Sequence, residues 1–332
     1  MKSYIVGVFF TLCAAIAFAP TSVIGQSVPD TVAGHVAAAK AAGGELWPSL
    51  VKSLCASAEQ APAPTPPQAQ PPNQGPPPRS QWYREPSKVF DNMYIFSMSG
   101  VAAWAVNTSG GVILIDALYD YSVKDEVDAG MRTLGLDPGK IKAVFITHGH
   151  GDHSGGAKYL QELYSPRVFL SAADWDLLAR PPANPNANPQ PVPKKDGIVT
   201  DGMKYTLGDT TITVYITPGH TPGTLAFLIP VKINGTPHVA AFWGGTAISR
   251  NTGVANLTTY SASAKRFEDI VMQAKADILL SNHDGFGEYF KRIAAMKANP
   301  SAPNPFVVGN DGVRRYLQVL QHCSQAIVVA MR

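Results

Sequence analysis

The sequence predicts an α+β fold in which two β-sheets pack face to face and helices cover both outer sides, a four-layer αββα sandwich. Two observations carry that expectation. Short apolar and β-branched runs come in groups, with segments of helical periodicity placed outside them. The chain is also long, at 332 residues with 45% hydrophobic composition, enough to fill a sizeable core.

At the N-terminus, Lys2 is followed by the apolar run Ile5 to Ala19, broken only by Gly7 and Thr11. This reads as a secretory signal over residues 1–25, with cleavage after Gly25; the run is short for a membrane span, and an uncleaved anchor is the alternative. Residues 26–60 form an N-terminal helical segment in two pieces. Val32, Val36 and Ala39 recur at helical spacing before the Gly43-Gly44 break, and Leu46, Leu50 and Leu54 form a second stripe with Pro48 near its start. Residues 61–80 are a Pro-rich linker, extended and solvated. With the signal removed, two cysteines remain, and an exported chain with two cysteines invites the disulfide Cys55–Cys323, with two buried thiols as the alternative.

Residues 81–332 carry the main domain. Strands are expected at Tyr94–Phe96, Val101–Val106 and Val112–Ile115, then a helix at Tyr121–Leu134. The Asp137-Pro138-Gly139 turn leads into a strand over Ile141–Thr147. A helix over Ala157–Tyr164, a strand over Arg167–Leu170 and a short helix over Ala172–Ala179 follow. Pro181 to Lys195 is a Pro/Asn-rich insertion suited to a lid. Further strands are expected at Thr211–Ile216, Leu225–Ile229, His238–Trp243 and Asp277–Leu280, with helices at Tyr260–Ala274, Phe286–Ala298 and Asp311–Val329.

The stretch Val144–Gly156, VFITHGHGDHSGG, concentrates the chemistry. An apolar strand ends in His148, His150, Asp152 and His153, with Gly149 and Gly151 between them. Glycine lets the backbone turn tightly, so that successive side chains can converge on one point. Imidazoles and a carboxylate are donors suited to zinc and to other first-row metals. Two further strands run into a histidine: Ile216-Thr217-Pro218-Gly219-His220, and Ile278-Leu279-Leu280-Ser281-Asn282-His283. Five of the eight histidines therefore sit at strand ends, while His35, His238 and His322 do not. Asp116, at the end of the Val112–Ile115 strand, is a candidate acceptor for an imidazole N–H. The formal charge of +3 gives no reason to expect nucleic acid or an anionic membrane surface, and no oligomeric state follows from the sequence.

The pattern His-x-His-x-Asp-His after an apolar strand, with the Gly-His-Thr-Pro-Gly turn at 219–223, resembles the metallo-β-lactamase superfamily over roughly Trp82 to Asp284. The resemblance implies the αββα sandwich and two zinc ions per chain, one held by His148, His150 and His220 and the other by Asp152, His153 and His283. It also implies that Asp152 orients the nucleophile and shuttles a proton. Class B β-lactamases of the first subclass place a cysteine in the second site, which is lacking here, and the second subclass lacks the first histidine, which His148 supplies. Thioesterases, lactonases and phosphodiesterases of the superfamily usually add a bridging Asp after a late strand, where this chain has the Gly244-Gly245 pair. The chain is thus most similar to the third subclass, B3. That implies an exported, periplasmic or secreted enzyme acting on a small molecule, opening the amide of β-lactams by a metal-bound hydroxide. A lactonase, esterase or thioesterase is the alternative, and a non-catalytic zinc module a third reading. Thr246 and Ser249 are the candidates for holding a substrate carboxylate, since the third subclass has serines near that turn.

Overall fold

A computed structural model describes Met1 and residues 28–60, 75–181 and 190–332. Beyond Met1, the expected signal lies outside these residues, as do most of the linker and the centre of the Pro/Asn-rich insertion.

The first sheet has seven strands in chain order: β1 (Tyr83–Phe90), β2 (Met93–Met98), β3 (Val101–Thr108), β4 (Gly111–Ile115), β5 (Ile141–Phe145), β6 (Arg167–Ser171) and β7 (Gly197–Val199). The second has five, β8 (Met203–Leu207), β9 (Thr210–Ile216), β10 (Leu225–Ile233), β11 (Thr236–Trp243) and β12 (Ile278–Ser281). Pairing is antiparallel from β1 to β4 and parallel from β4 to β7; in the second sheet only β11 and β12 run parallel. The C-terminal ends of β5, β9 and β12, where the histidine turns begin, come together across the two sheets.

The strands are apolar on both sides because both sides are covered. Along β3, Val101, Ala103 and Ala105 lie in the outer core with Val127, Met131 and Leu160 of the covering helices, whereas Ala102, Trp104 and Val106 lie in the core between the sheets. On β11, Ala240 and Phe242 point between the sheets, and Ala241 and Trp243 point outward under helices 254–273 and 309–330. The αββα layering is as expected.

The N-terminal segment forms two helices, Val32–Gly43 and Pro48–Glu59, separated by the Gly43-Gly44 break; Thr31 caps the first by accepting from Gly34 N–H at 3.0 Å. Both lie on the 309–330 helix, with Val36, Leu50 and Leu54 in one core with Leu317 and Leu320. Cys55 and Cys323 are joined as a disulfide. Among the described residues, no helix is long and apolar enough to cross a membrane.

Several elements depart from the sequence pattern. β1 is unexpected because Pro86 interrupts it; the sheet tolerates Pro86 by placing β1 at its edge, with an irregular register between Arg84 and Ser87. The helix expected from Tyr121 starts at Lys124, because the N–H groups of Ser122 and Val123 first close a turn on the Tyr119 carbonyl; its first turn, Lys124–Asp128, is a π-helix. β10 and β11 are longer than expected and meet in a tight hairpin at Asn234-Gly235, both at positive φ.

Candidate metal centre

Five imidazoles and one carboxylate converge at that strand edge in two adjacent groups, His148/His150/His220 and Asp152/His153/His283. In the first group, His220 Nε2 lies 3.0 Å from His148 Nε2 and 3.1 Å from His150 Nδ1. In the second, His153 Nε2 lies 3.2 Å from His283 Nε2 and 3.1 Å from Asp152 Oδ2, and His283 Nε2 lies 3.8 Å from the same oxygen. The rings of His148 and His153, both fully buried, form a shared floor with centroids 4.2 Å apart. His150, Asp152, His220 and His283 form a partly open rim.

The other face of each ring tells which nitrogen carries a proton. His220 Nδ1 lies 2.5 Å from the Ala247 carbonyl, and His283 Nδ1 lies 2.6 Å from the Gly100 carbonyl. A carbonyl only accepts, so both Nδ1 atoms must be N–H donors. His153 Nδ1 donates to Asp116 Oδ2 at 2.8 Å. His148 Nδ1 meets Thr147 Oγ1 at 3.0 Å, whose own hydroxyl donates to Asp116 at 2.9 Å. In neutral rings the inward nitrogens are then bare lone pairs, packed about as closely as nitrogens around one tetrahedral zinc, which stand roughly 3.3 Å apart for Zn–N bonds near 2.05 Å. Lone pairs held so close repel unless something positive lies between them, and the donor set fits a metal for that reason.

Electrostatics points the same way. Burial, reinforced by neighbouring imidazoles, holds His220 down at about 3 and His148 well below its ordinary range; burial also lowers His150 and His283. His153 is the exception. Burial opposes its charge, but Asp152 and Asp116 outweigh burial and lift it to about 10. Burial would raise Asp152, but His153 and His283 hold it below the usual carboxylate range.

Two buried carboxylates hold the turns in place. Asp116, at φ 63°, accepts from Thr147 N–H at 2.7 Å, from the Thr147 hydroxyl, from His153 Nδ1–H and from Asn282 Nδ2–H at 3.1 Å. It is the acceptor its strand-end position suggests. A non-glycine residue held there is a local cost that these four contacts offset. Asp174 was not legible in the sequence. It sits in the first turn of helix 172–178 and accepts from Gly149 N–H at 2.9 Å, from the Thr221 hydroxyl at 2.7 Å and from Gly223 N–H at 2.8 Å. It thereby ties the first histidine turn to the second, and its one sequence signal is a capped helix start, Ser171 before Asp174. Tyr119, stacked on Tyr121 at 5.0 Å, borders the Asp152 side and is pushed up to about 12 by burial and by the Asp152 charge.

One expected substrate contact needs correction. Thr246 is fully buried, and its hydroxyl is engaged by Ser281 at 3.2 Å and Tyr316 at 3.1 Å, so it faces the core beneath the site. Ser249 is half-buried and caps the turn Arg250–Thr252, accepting from Asn251 N–H at 3.2 Å. The pair Gly244-Gly245 sits against the site with no room for a side chain. A Cβ on Gly244 would stand 2.7 Å from Thr147 Cβ, and one on Gly245 would stand 2.7 Å from His220 Cβ.

Metal-donor turns are thus gathered at one edge of an αββα sandwich. Residues 98–232 match the Metallo-beta-lactamase superfamily, a likeness over less than half of the chain. The structure is similar to that of BJP-1, a subclass B3 metallo-beta-lactamase of Bradyrhizobium japonicum, at 27% identity and a TM-score of 0.61 over 72% of this chain and 92% of that one. Sequence relatives include the probable metallo-hydrolase YybB of Bacillus subtilis, 28% identical over 38% of this chain and 56% of that protein. A hydroxyacylglutathione hydrolase of Francisella philomiragia is 28% identical over 48% of this chain and 62% of that protein. The chain thus matches little more than half the length of these two relatives.

Proposed function

We propose that the protein is an exported dizinc hydrolase that opens the amide of β-lactams. The observation that supports this most is the closed corner at Gly244-Gly245. The six donors are present, yet a bridging carboxylate from β11 is not merely missing: even a methyl group there would collide with Thr147 or His220. That leaves an Asp-His-His second site beside a tris-His first site, as in the subclass B3 resemblance, and the structural likeness to BJP-1 supports the same reading. The disulfide fits an oxidising compartment.

His148, His150 and His220 would hold one zinc ion, and Asp152, His153 and His283 the other. When bound, the pair supplies Lewis acidity for a carbonyl and a water acidified towards neutrality. The chain does the rest. Asp116, Thr147 and the Ala247 and Gly100 carbonyls fix the tautomers of His148, His153, His220 and His283, so that their lone pairs face inward. Asp152, kept ionised by His153, orients the attacking water with its second oxygen and takes up its proton. The stacked Tyr119 and Tyr121 offer an aromatic wall beside it. Ser249 is the remaining hydroxyl candidate for a substrate carboxylate.

A lactonase, esterase or thioesterase is the second reading, favoured by the hydroxyacylglutathione hydrolase relative. Turnover of a carbapenem and a chromogenic cephalosporin, measured beside a panel of lactones, aryl esters and hydroxyacyl thioesters, separates the two. β-Lactam opening that a chelator abolishes and zinc restores is the expected result. Turnover of the panel alone would overturn the β-lactam assignment, and metal analysis finding fewer than two zinc ions per chain would overturn the dizinc one.

A further inference from the structure

We propose that Arg250 is a positioning residue for the tris-His half of the site, and that the N-terminal helical hairpin acts on the site through it. This inference rests on the metal-centre reading above.

The Arg250 guanidinium reaches two helix ends at once. Nε donates to the Ser57 carbonyl at 2.9 Å, Nη2 to the Gln60 carbonyl at 3.0 Å, and Nη1 to the Ala330 carbonyl at 2.9 Å. These carbonyls close the 48–59 and 309–330 helices, where the helix itself leaves acceptors unpaired and where positive charge is favoured. Among the described residues, no carboxylate lies within ion-pair distance of Arg250. The disulfide between Cys55 and Cys323 cross-links the same two helices, so the spacing that the guanidinium spans is covalently fixed.

Three residues before Arg250, the Ala247 carbonyl accepts the proton of His220 Nδ1 at 2.5 Å. The segment between them is short and anchored. Ile248 is buried among the hairpin and helix side chains, and Ser249 and Thr252 close a reciprocal capping box around Arg250. At its other end the segment starts at Gly245, pressed against His220. The loop 245–252 is therefore held by the site on one side and by two helix termini on the other. Releasing the second anchor lets the Ala247 carbonyl drift and loosens the tilt of His220, with no direct effect on Asp152, His153 or His283. A lysine would not substitute, since one ammonium cannot serve two helix ends in the fixed fork that a guanidinium presents.

The test is a two-equivalent zinc titration of the full chain against a competing chelator, with the visible spectrum of the cobalt-loaded protein as a second readout. Arg250→Ala and Arg250→Lys are both expected to weaken one equivalent by roughly 3- to 30-fold, toward the low end of what loss of a direct imidazole partner costs. The other equivalent and its cobalt bands should be unchanged. Arg250→Lys keeps the aliphatic stem and covers the case in which the alanine variant fails to fold. Val36→Ala, which thins the hairpin core without touching the clamp, should lower Tm yet leave both equivalents intact. Wild-type affinity at both sites in the Arg250 variants would overturn the proposal. Equal weakening by Val36→Ala would overturn it too, reducing Arg250 to a matter of stability. A wild-type chain that binds no zinc would instead overturn the metal-centre reading itself.

Discussion

Replacing Asp116 with Asn separates the charge of the carboxylate from its shape. Asn tolerates the left-handed backbone at φ 63°, so the strand end need not rearrange. The amide has one acceptor and one donor where the carboxylate had two acceptors. Oδ2 serves three donors, the Thr147 hydroxyl, His153 Nδ1–H and Asn282 Nδ2–H, while Oδ1 serves only Thr147 N–H. The amide therefore turns its oxygen towards the three and its NH2 towards Thr147 N–H. One buried N–H is left facing a donor, at about 1–3 kcal/mol, and three bonds lose the help of the charge. A total of roughly 2–4 kcal/mol corresponds to a fall in Tm of the order of 5–10 °C. His153 keeps an acceptor, but a neutral one, so its tautomer is held less firmly and the Asp152/His153/His283 equivalent should weaken by about 10-fold, the low end of what loss of such a partner costs. Thermal melts of the metal-free protein and chelator competition of the loaded one measure the two effects separately. An Asn variant with wild-type Tm and two wild-type binding steps would refute the account of Asp116.

Gly223→Ala would place a methyl group 1.8 Å from Ser171 Oγ and 2.8 Å from Asp174 Oδ1, so it should cost about 1–3 kcal/mol by denaturant melt and weaken the His220-containing equivalent. The double variant Cys55→Ser/Cys323→Ser opens a loop spanning 268 residues, and urea unfolding should show a loss of roughly 2–5 kcal/mol; an unchanged midpoint would contradict it. In the metal-free protein His220, held at about 3, and the lowered His148, His150 and His283 stay neutral while their unfolded counterparts charge near pH 6.5. Stability should therefore fall as pH drops below about 6.5, by up to ~1.4 kcal/mol per pH unit for each ring, and a flat Tm profile from about pH 8 to pH 5.5 would exclude it.

The sequence exposes the donors because their chemistry and their position coincide. A buried strand is a run of apolar residues, and a run that stops at His148 or His283 marks both the strand end and the donor. Asp116 is legible for the same reason. Asp174 is not, because its partners come from two turns distant in the chain and its own helix start looks ordinary. Arg250 is hidden likewise: its bonds go to main-chain carbonyls, which carry no sequence signature. β1 escapes because Pro86 is a valid edge residue but a poor strand signal. The hairpin at Asn234-Gly235 has a readable turn, but Lys232, Asn234 and Thr236 dilute the apolar runs on either side and hide the full length of its strands. Thr246 shows the opposite error, since a hydroxyl beside a metal turn can be consumed by the core.

Docking of residues 32–59 on the 309–330 helix also sets an order of events. Cys55 and Cys323 lie 268 residues apart, so during synthesis the hairpin has no surface to settle on until the 309–330 helix has been made, and Cys55 stays without its mate for as long. Its closure is thus a late step: a chain cut short before Cys323 would leave the hairpin's apolar stripe uncovered. Whatever else the hairpin does, it can close only on a chain that has already supplied Cys323.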